Sequence, residues 1–181
     1  MALTVTRKGY GQVEPNHLSA QYTGQIYAQL PAKDSNGDAI AKLENGQFLK
    51  YNYAEGRASV DGDGEWMLVY NEEKLYDERR QNHKDFAMIA EEMADKTIYP
   101  RLLKINVGDI YTTNTFTSNA VGPDSIVTGP ELTKGNFLII TNGWLTKGTG
   151  DTIPVTGMVF KVVKEYTMPD GQPGVKIQRV Q

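Results

Sequence analysis

The sequence predicts a mainly β protein, a small barrel or sandwich with one short helix and an extended N-terminal arm. Three observations predict it. Short runs rich in β-branched and aromatic residues recur along the 181 residues, the composition that suits pleated, half-buried strands. Turn signals cut those runs apart, Asn45-Gly46 and Asp61-Gly-Asp-Gly64 most plainly, because Asn and Gly reach positive φ at low cost. Helical spacing shows once, at Phe86, Ile89, Ala90 and Met93, a single apolar stripe.

Taken in order, Leu3 and Val5 alternate with Thr4 and Thr6, the mark of a short strand. Residues 7–23 are then polar, with Gly9, Gly11, Pro15 and Asn16 and no sustained period. An irregular stretch that long is uncommon inside a compact domain. Residues 1–23 are therefore expected to form an arm lying on a neighbour, an ordinary loop being the alternative, with 24–181 as a single β-rich domain.

Strands are expected at 24–30, 47–53 and 66–71. Asn82 and Asp85 hold the cap and capping-box places ahead of the helix. The charged run 72–81 before it reads as an exposed loop or a solvated extension. β character returns at Thr97, and Pro100 marks an edge or a break. Residues 109–116 and 136–141 read as strands, with a loop-rich excursion at 118–134 holding Gly122-Pro123 and Gly129-Pro130. The chain closes on a hairpin, 158–166 and 175–180, around Pro169-Asp-Gly171.

The chemistry is sparse. The chain has no cysteine and two histidines, so thiolate chemistry, disulfides and Cys-type zinc sites are excluded. His17 and His83 each lack a His or Cys at ligand spacing. Asp61-Gly-Asp-Gly-Glu65 opens like a calcium loop, but Trp66 stands where that loop needs glycine, so a turn is expected. Gly129-Pro-Glu-Leu-Thr-Lys-Gly135 lacks the Gly-Lys-Ser/Thr order of a phosphate loop. No cofactor, metal site or catalytic residue is expected, although sequence alone leaves a carboxylate pair of the glycosidase kind open.

A formal net charge of −3 speaks against a nucleic-acid partner, which calls for a basic face. Glu91, Glu92 and Asp95 near the expected helix have the wrong sign for anionic lipid, so no membrane partner is expected. The N-terminus lacks the apolar core of a signal peptide, which points to synthesis in a cytosol. Most of the ten tyrosines, five phenylalanines and two tryptophans are expected as half-buried strand residues.

Four stretches carry a resemblance. Gly9-Tyr-Gly-Gln-Val-Glu-Pro-Asn-His-Leu-Ser-Ala-Gln21 with Gly24-Gln-Ile-Tyr-Ala-Gln-Leu30 resembles the start of small structural proteins from the head-gene modules of tailed bacteriophages. Gly64-Glu-Trp-Met-Leu-Val-Tyr-Asn-Glu-Glu-Lys-Leu-Tyr-Asp77 and Tyr99-Pro-Arg-Leu-Leu-Lys-Ile-Asn-Val-Gly-Asp-Ile-Tyr-Thr-Thr-Asn114 look like the middle of the same proteins. The resemblance implies a non-enzymatic capsid decoration (cement) or auxiliary head protein. Such a protein binds the major capsid protein, often as a homo-oligomer, and resides in the virion after assembly in the host cytoplasm.

On that footing the candidate capsid contacts are Arg7, Lys8, Tyr10, Gln12, His17, Gln21 and Tyr22 of the arm, with Arg79 and Arg80 from the charged run. A head-fibre or tail-associated adhesin reading host glycans through exposed aromatics is the alternative.

Overall fold

The structure is a computed structural model and describes residues 2–27, 30–71, 86–122, 124–149 and 157–181. It is mainly β, built from antiparallel sheets in the manner of a sandwich. Among the described residues no sheet closes into a barrel.

The larger layer has six strands in the order β13-β12-β14-β15-β10-β2. They are β2 (Val13–His17), β10 (Ile110–Thr113), β12 (Phe137–Thr141), β13 (Trp144–Lys147), β14 (Val159–Thr167) and β15 (Pro173–Arg179). The expected final hairpin is β14 and β15, running from Phe160↔Arg179 to Thr167↔Pro173. Among the described residues β2 lies at one edge, paired only with β10.

The second layer has five strands in the order β3-β9-β7-β5-β6. These are β3 (Ile26–Tyr27), β5 (Phe48–Asn52), β6 (Arg57–Ser59), β7 (Met67–Val69) and β9 (Leu102–Lys104). Its central strands are covered on both faces, which explains their continuous apolar runs. Phe48, Leu68 and Leu103 face the main core, with Tyr111, Phe160, Val162 and Ile177 of the six-stranded sheet. Their neighbours Leu49, Met67, Val69 and Leu102 turn the other way, into a second core with Leu43, Met88 and Ile98. Successive residues serve opposite cores because side chains alternate along a strand.

The N-terminal segment overturns the arm expectation. β1 (Leu3–Lys8) pairs with β11 (Ile126–Leu132), β2 joins the main sheet, and Ser19–Thr23 forms the short helix α1. Val5, Leu18 and Ala20 are buried in the main core. Pairing partners about a hundred residues away or more supply the order that local periodicity does not show. The helix ends at Gly24, whose φ of 70° gives the left-handed cap.

Two further expectations give way. The helix at 86–93 is absent. Met88–Ile89 form strand β8 against β4 (Lys42–Leu43), and one 3-10 turn follows at Ala90–Glu92. Phe86, Met88 and Ala90 also stand two apart, and that strand period carries them into the second core. The caps at Asn82 and Asp85 and the charged run 72–81 lie outside the described residues. The excursion at 118–134 contains β11, with Gly129-Pro130 opposite Val5 at a bulge. There a Cβ on Gly129 would lie 2.8 Å from the Val5 carbonyl, so this glycine marks close strand approach as well as turn chemistry.

Candidate binding cleft and surface

The residues between β1 and β2 are held by one buried carboxylate. Arg7 alternates inward with Val5, and its Nη2 donates to Glu44 Oε2 at 2.9 Å, with both side chains at most 1% exposed. Glu44 also accepts from the Gly11 N–H at 2.7 Å and from the Ala120 N–H. Arg7 Nη2 donates in addition to the Ser118 carbonyl at 2.7 Å. Three distant segments therefore converge on one charge pair. Burial raises the Glu44 pKa, opposed by the Arg7 charge and the backbone donors; burial likewise lowers that of Arg7.

This hub is structural. A buried ion pair barely exceeds its own desolvation cost, but removing one partner strands the other.

Beside it opens a cleft of about 470 Å³, within the range of roughly 300–1,000 Å³ usual for ligand sites. Residues 11–16 form one wall, along the edge strand β2 and its approach. Asn45, Tyr70, Asn71 and Phe86 form the facing wall, and Met168 with Pro169 at the β14–β15 turn closes one side.

Asn45 and Asn71 lock each other. The Asn71 N–H donates to Asn45 Oδ1 at 2.8 Å, while Asn45 Nδ2 donates to the Asn71 carbonyl at 3.2 Å. The Thr112 hydroxyl donates to Asn16 Oδ1 at 2.6 Å. Gln12 Nε2 donates to Asp170 Oδ2 at 2.8 Å, and its buried Oε1 has no hydrogen-bond partner. Among the described residues Glu14 is the only charged side chain lining the cleft. It accepts the Tyr166 hydroxyl, which holds that phenol above its ordinary range.

The sequence candidates separate. Arg7, Tyr10 and Gln12 are 1%, 5% and 4% exposed, so burial removes them from any free contact surface. Tyr10 lies under the Lys42 ammonium, 5.2 Å from its ring centre. Lys8 is exposed and pairs with Asp124 at 2.9 Å. His17 and Tyr22 stand together at the surface with ring centres 6.2 Å apart, and Gln21 beside them is half-buried. Arg79 and Arg80 lie outside the described residues.

Sequence reasoning passed over Glu44 and Asn71, and took Asn45 as turn chemistry alone. Nothing local marks them, since their side-chain partners are 17 or more residues away. A second surface feature joins Tyr27, Tyr51 and Tyr53 edge to face at 5.2 and 5.3 Å. Burial, with Tyr53 and Tyr27 alongside, pushes the Tyr51 phenol up to about 12.

Among the described residues no group of three His, Asp or Glu is placed to hold a metal ion, and no helix is long and apolar enough to cross a membrane. No family model, curated protein or solved structure matches this chain. Fold and site together define a layered β domain with an amide-lined cleft at one sheet edge.

Proposed function

We propose that this chain is a non-enzymatic structural protein of a tailed-bacteriophage head, binding and stabilising the shell of major capsid protein. The observation that carries the reading is where the resembling segments fall. They contain β2, β3, β7, β9 and β10 and the start of α1, and those strands lie at the edge and in the interior of both main sheets. The resemblance is thus one of framework. Exposed tyrosines supply contact chemistry, Tyr22 at 76% and Tyr53 at 75%, since tyrosine is enriched where interfaces gain their energy.

The physics is linkage. A protein that binds only the assembled shell stabilises it by about 2.7 kcal/mol at a hundredfold excess over Kd. Repetition over equivalent sites, or oligomerisation, adds avidity without stronger chemistry. The test compares particles with and without this protein under heating and osmotic shock. Earlier rupture of the depleted particles is expected, and readdition of the protein should restore them. Unchanged rupture would remove the stabilising role.

A further inference from the structure

We propose that the cleft beside β2 is a binding site for a short neutral saccharide. Its chemistry selects that class. Asn16 and Asn45 present amides already oriented by hydrogen bonds, and the Asn71 amide is fixed separately, accepting from the Arg101 N–H and donating to Met88 Sδ. Each amide group has two donor hydrogens and two acceptor lone pairs, so capacity remains for ligand hydroxyls. Tyr70 and Phe86 on the facing wall offer aromatic surface to the C–H face of a sugar ring. Polar groups that fix orientation beside apolar walls are the general pattern of small-ligand sites.

Charge narrows the choice. Among the described residues no cation lines the cleft, which disfavours a phosphate or carboxylate ligand. Its one carboxylate, Glu14, is engaged by Tyr166, which disfavours a cation. An extended peptide is the competing occupant, because β2 is a sheet edge. Pro15 sits within β2 and carries no N–H, so a strand added there lacks a donor in mid-ladder. A saccharide needs no such ladder. Occupancy of the cleft neither requires nor excludes a shell partner.

The test is NMR titration of the full-length ¹⁵N-labelled chain with glucose, galactose, N-acetylglucosamine and their disaccharides, and with the matching polysaccharides. The polysaccharide arm separates a surface glycan from a free sugar. At least one sugar should shift amides at residues 11–16, 45 and 71. Asn16→Ala and Phe86→Ala should each weaken that binding about tenfold, equivalent to about 1.4 kcal/mol, while Tyr53→Ala, outside the lining, leaves it unchanged. Melting is recorded first; if Phe86→Ala fails to fold, Asn16→Ala carries the comparison.

Three results would overturn the proposal. One is a panel with no saturable shifts. Another is loss of binding through Tyr53→Ala with Asn16→Ala silent, which would place the sugar on the tyrosine cluster. The third is an alternating Thr-Val hexapeptide shifting the cleft amides where no sugar does, which would assign the cleft to a peptide strand.

Discussion

Glu44 shows how much one side chain can hold. Its carboxylate joins Arg7 and Gly11 near the N-terminus to Ala120, so that three separate stretches of chain, its own included, meet there. Replacing Glu44 by Gln leaves the Arg7 guanidinium buried without a counter-charge and should cost about 3–5 kcal/mol. The double replacement Arg7→Met with Glu44→Leu removes both charges and should recover much of that loss. Urea midpoints of the three variants check this, and equal loss in single and double variants would contradict it.

Gly11 is a second sensitive residue. A Cβ there would lie 2.7 Å from the Asn45 carbonyl and collide with Thr115. Gly11→Ala should therefore destabilise by about 1–3 kcal/mol, the scale of overpacking, as read from the same unfolding curves.

Asp170 sets an expected pH response. Burial pushes its carboxyl up, but the side-chain amides of Gln172 and Gln12 reverse that and hold it below the ordinary carboxylate value. The unfolded chain then binds this proton at higher pH than the folded one. The stabilisation is complete above the ordinary carboxylate range and is lost as pH falls through the folded value. Asp170→Asn should flatten that part of the stability profile between neutral and acid pH, with the urea midpoint as readout.

At the level of elements, the segment read as an arm is the instructive one. β1 buries Val5 and Arg7, β2 supplies a sheet edge, and α1 buries Ala20 behind Leu18. Deleting residues 2–17 exposes apolar surface in the main core and orphans Glu44. The remaining chain should lose its cooperative unfolding transition and its dispersed NMR spectrum. Retention of both would restore the arm reading.

The strands with strong local signals were legible, among them 47–53, 109–116 and the final hairpin, because β-branched runs and turn residues act within a few positions. β1's pairing with β11 was not, since its partners lie more than a hundred residues away. The stripe at 86–93 misled because Phe86, Met88 and Ala90 satisfy period 2 while Phe86, Ile89, Ala90 and Met93 satisfy helical spacing. Tertiary pairing with β4 decided between them.

For the whole molecule, the five-stranded sheet between two cores accounts for runs such as Met67–Val69, buried on both faces. The cleft arises where the edge strand of one layer meets the ends of the other. Its place was not legible, because it needs Gln12, Asn45, Asn71 and Met168 brought together from four parts of the chain. Among the described residues the surface carries paired His17 and Tyr22, the tyrosine cluster and the amide-lined cleft.

On the shell-binding reading, His17→Ala with Tyr22→Ala should lower occupancy on particles about tenfold or more while leaving the melting temperature unchanged, the behaviour of interface anchors. A reconstruction of purified virions tests the central claim most directly. It should show density of this layered β shape repeated on the capsid, in contact with the major capsid protein. Virions with full capsids and no such density, or from which this chain is missing altogether, would contradict the account.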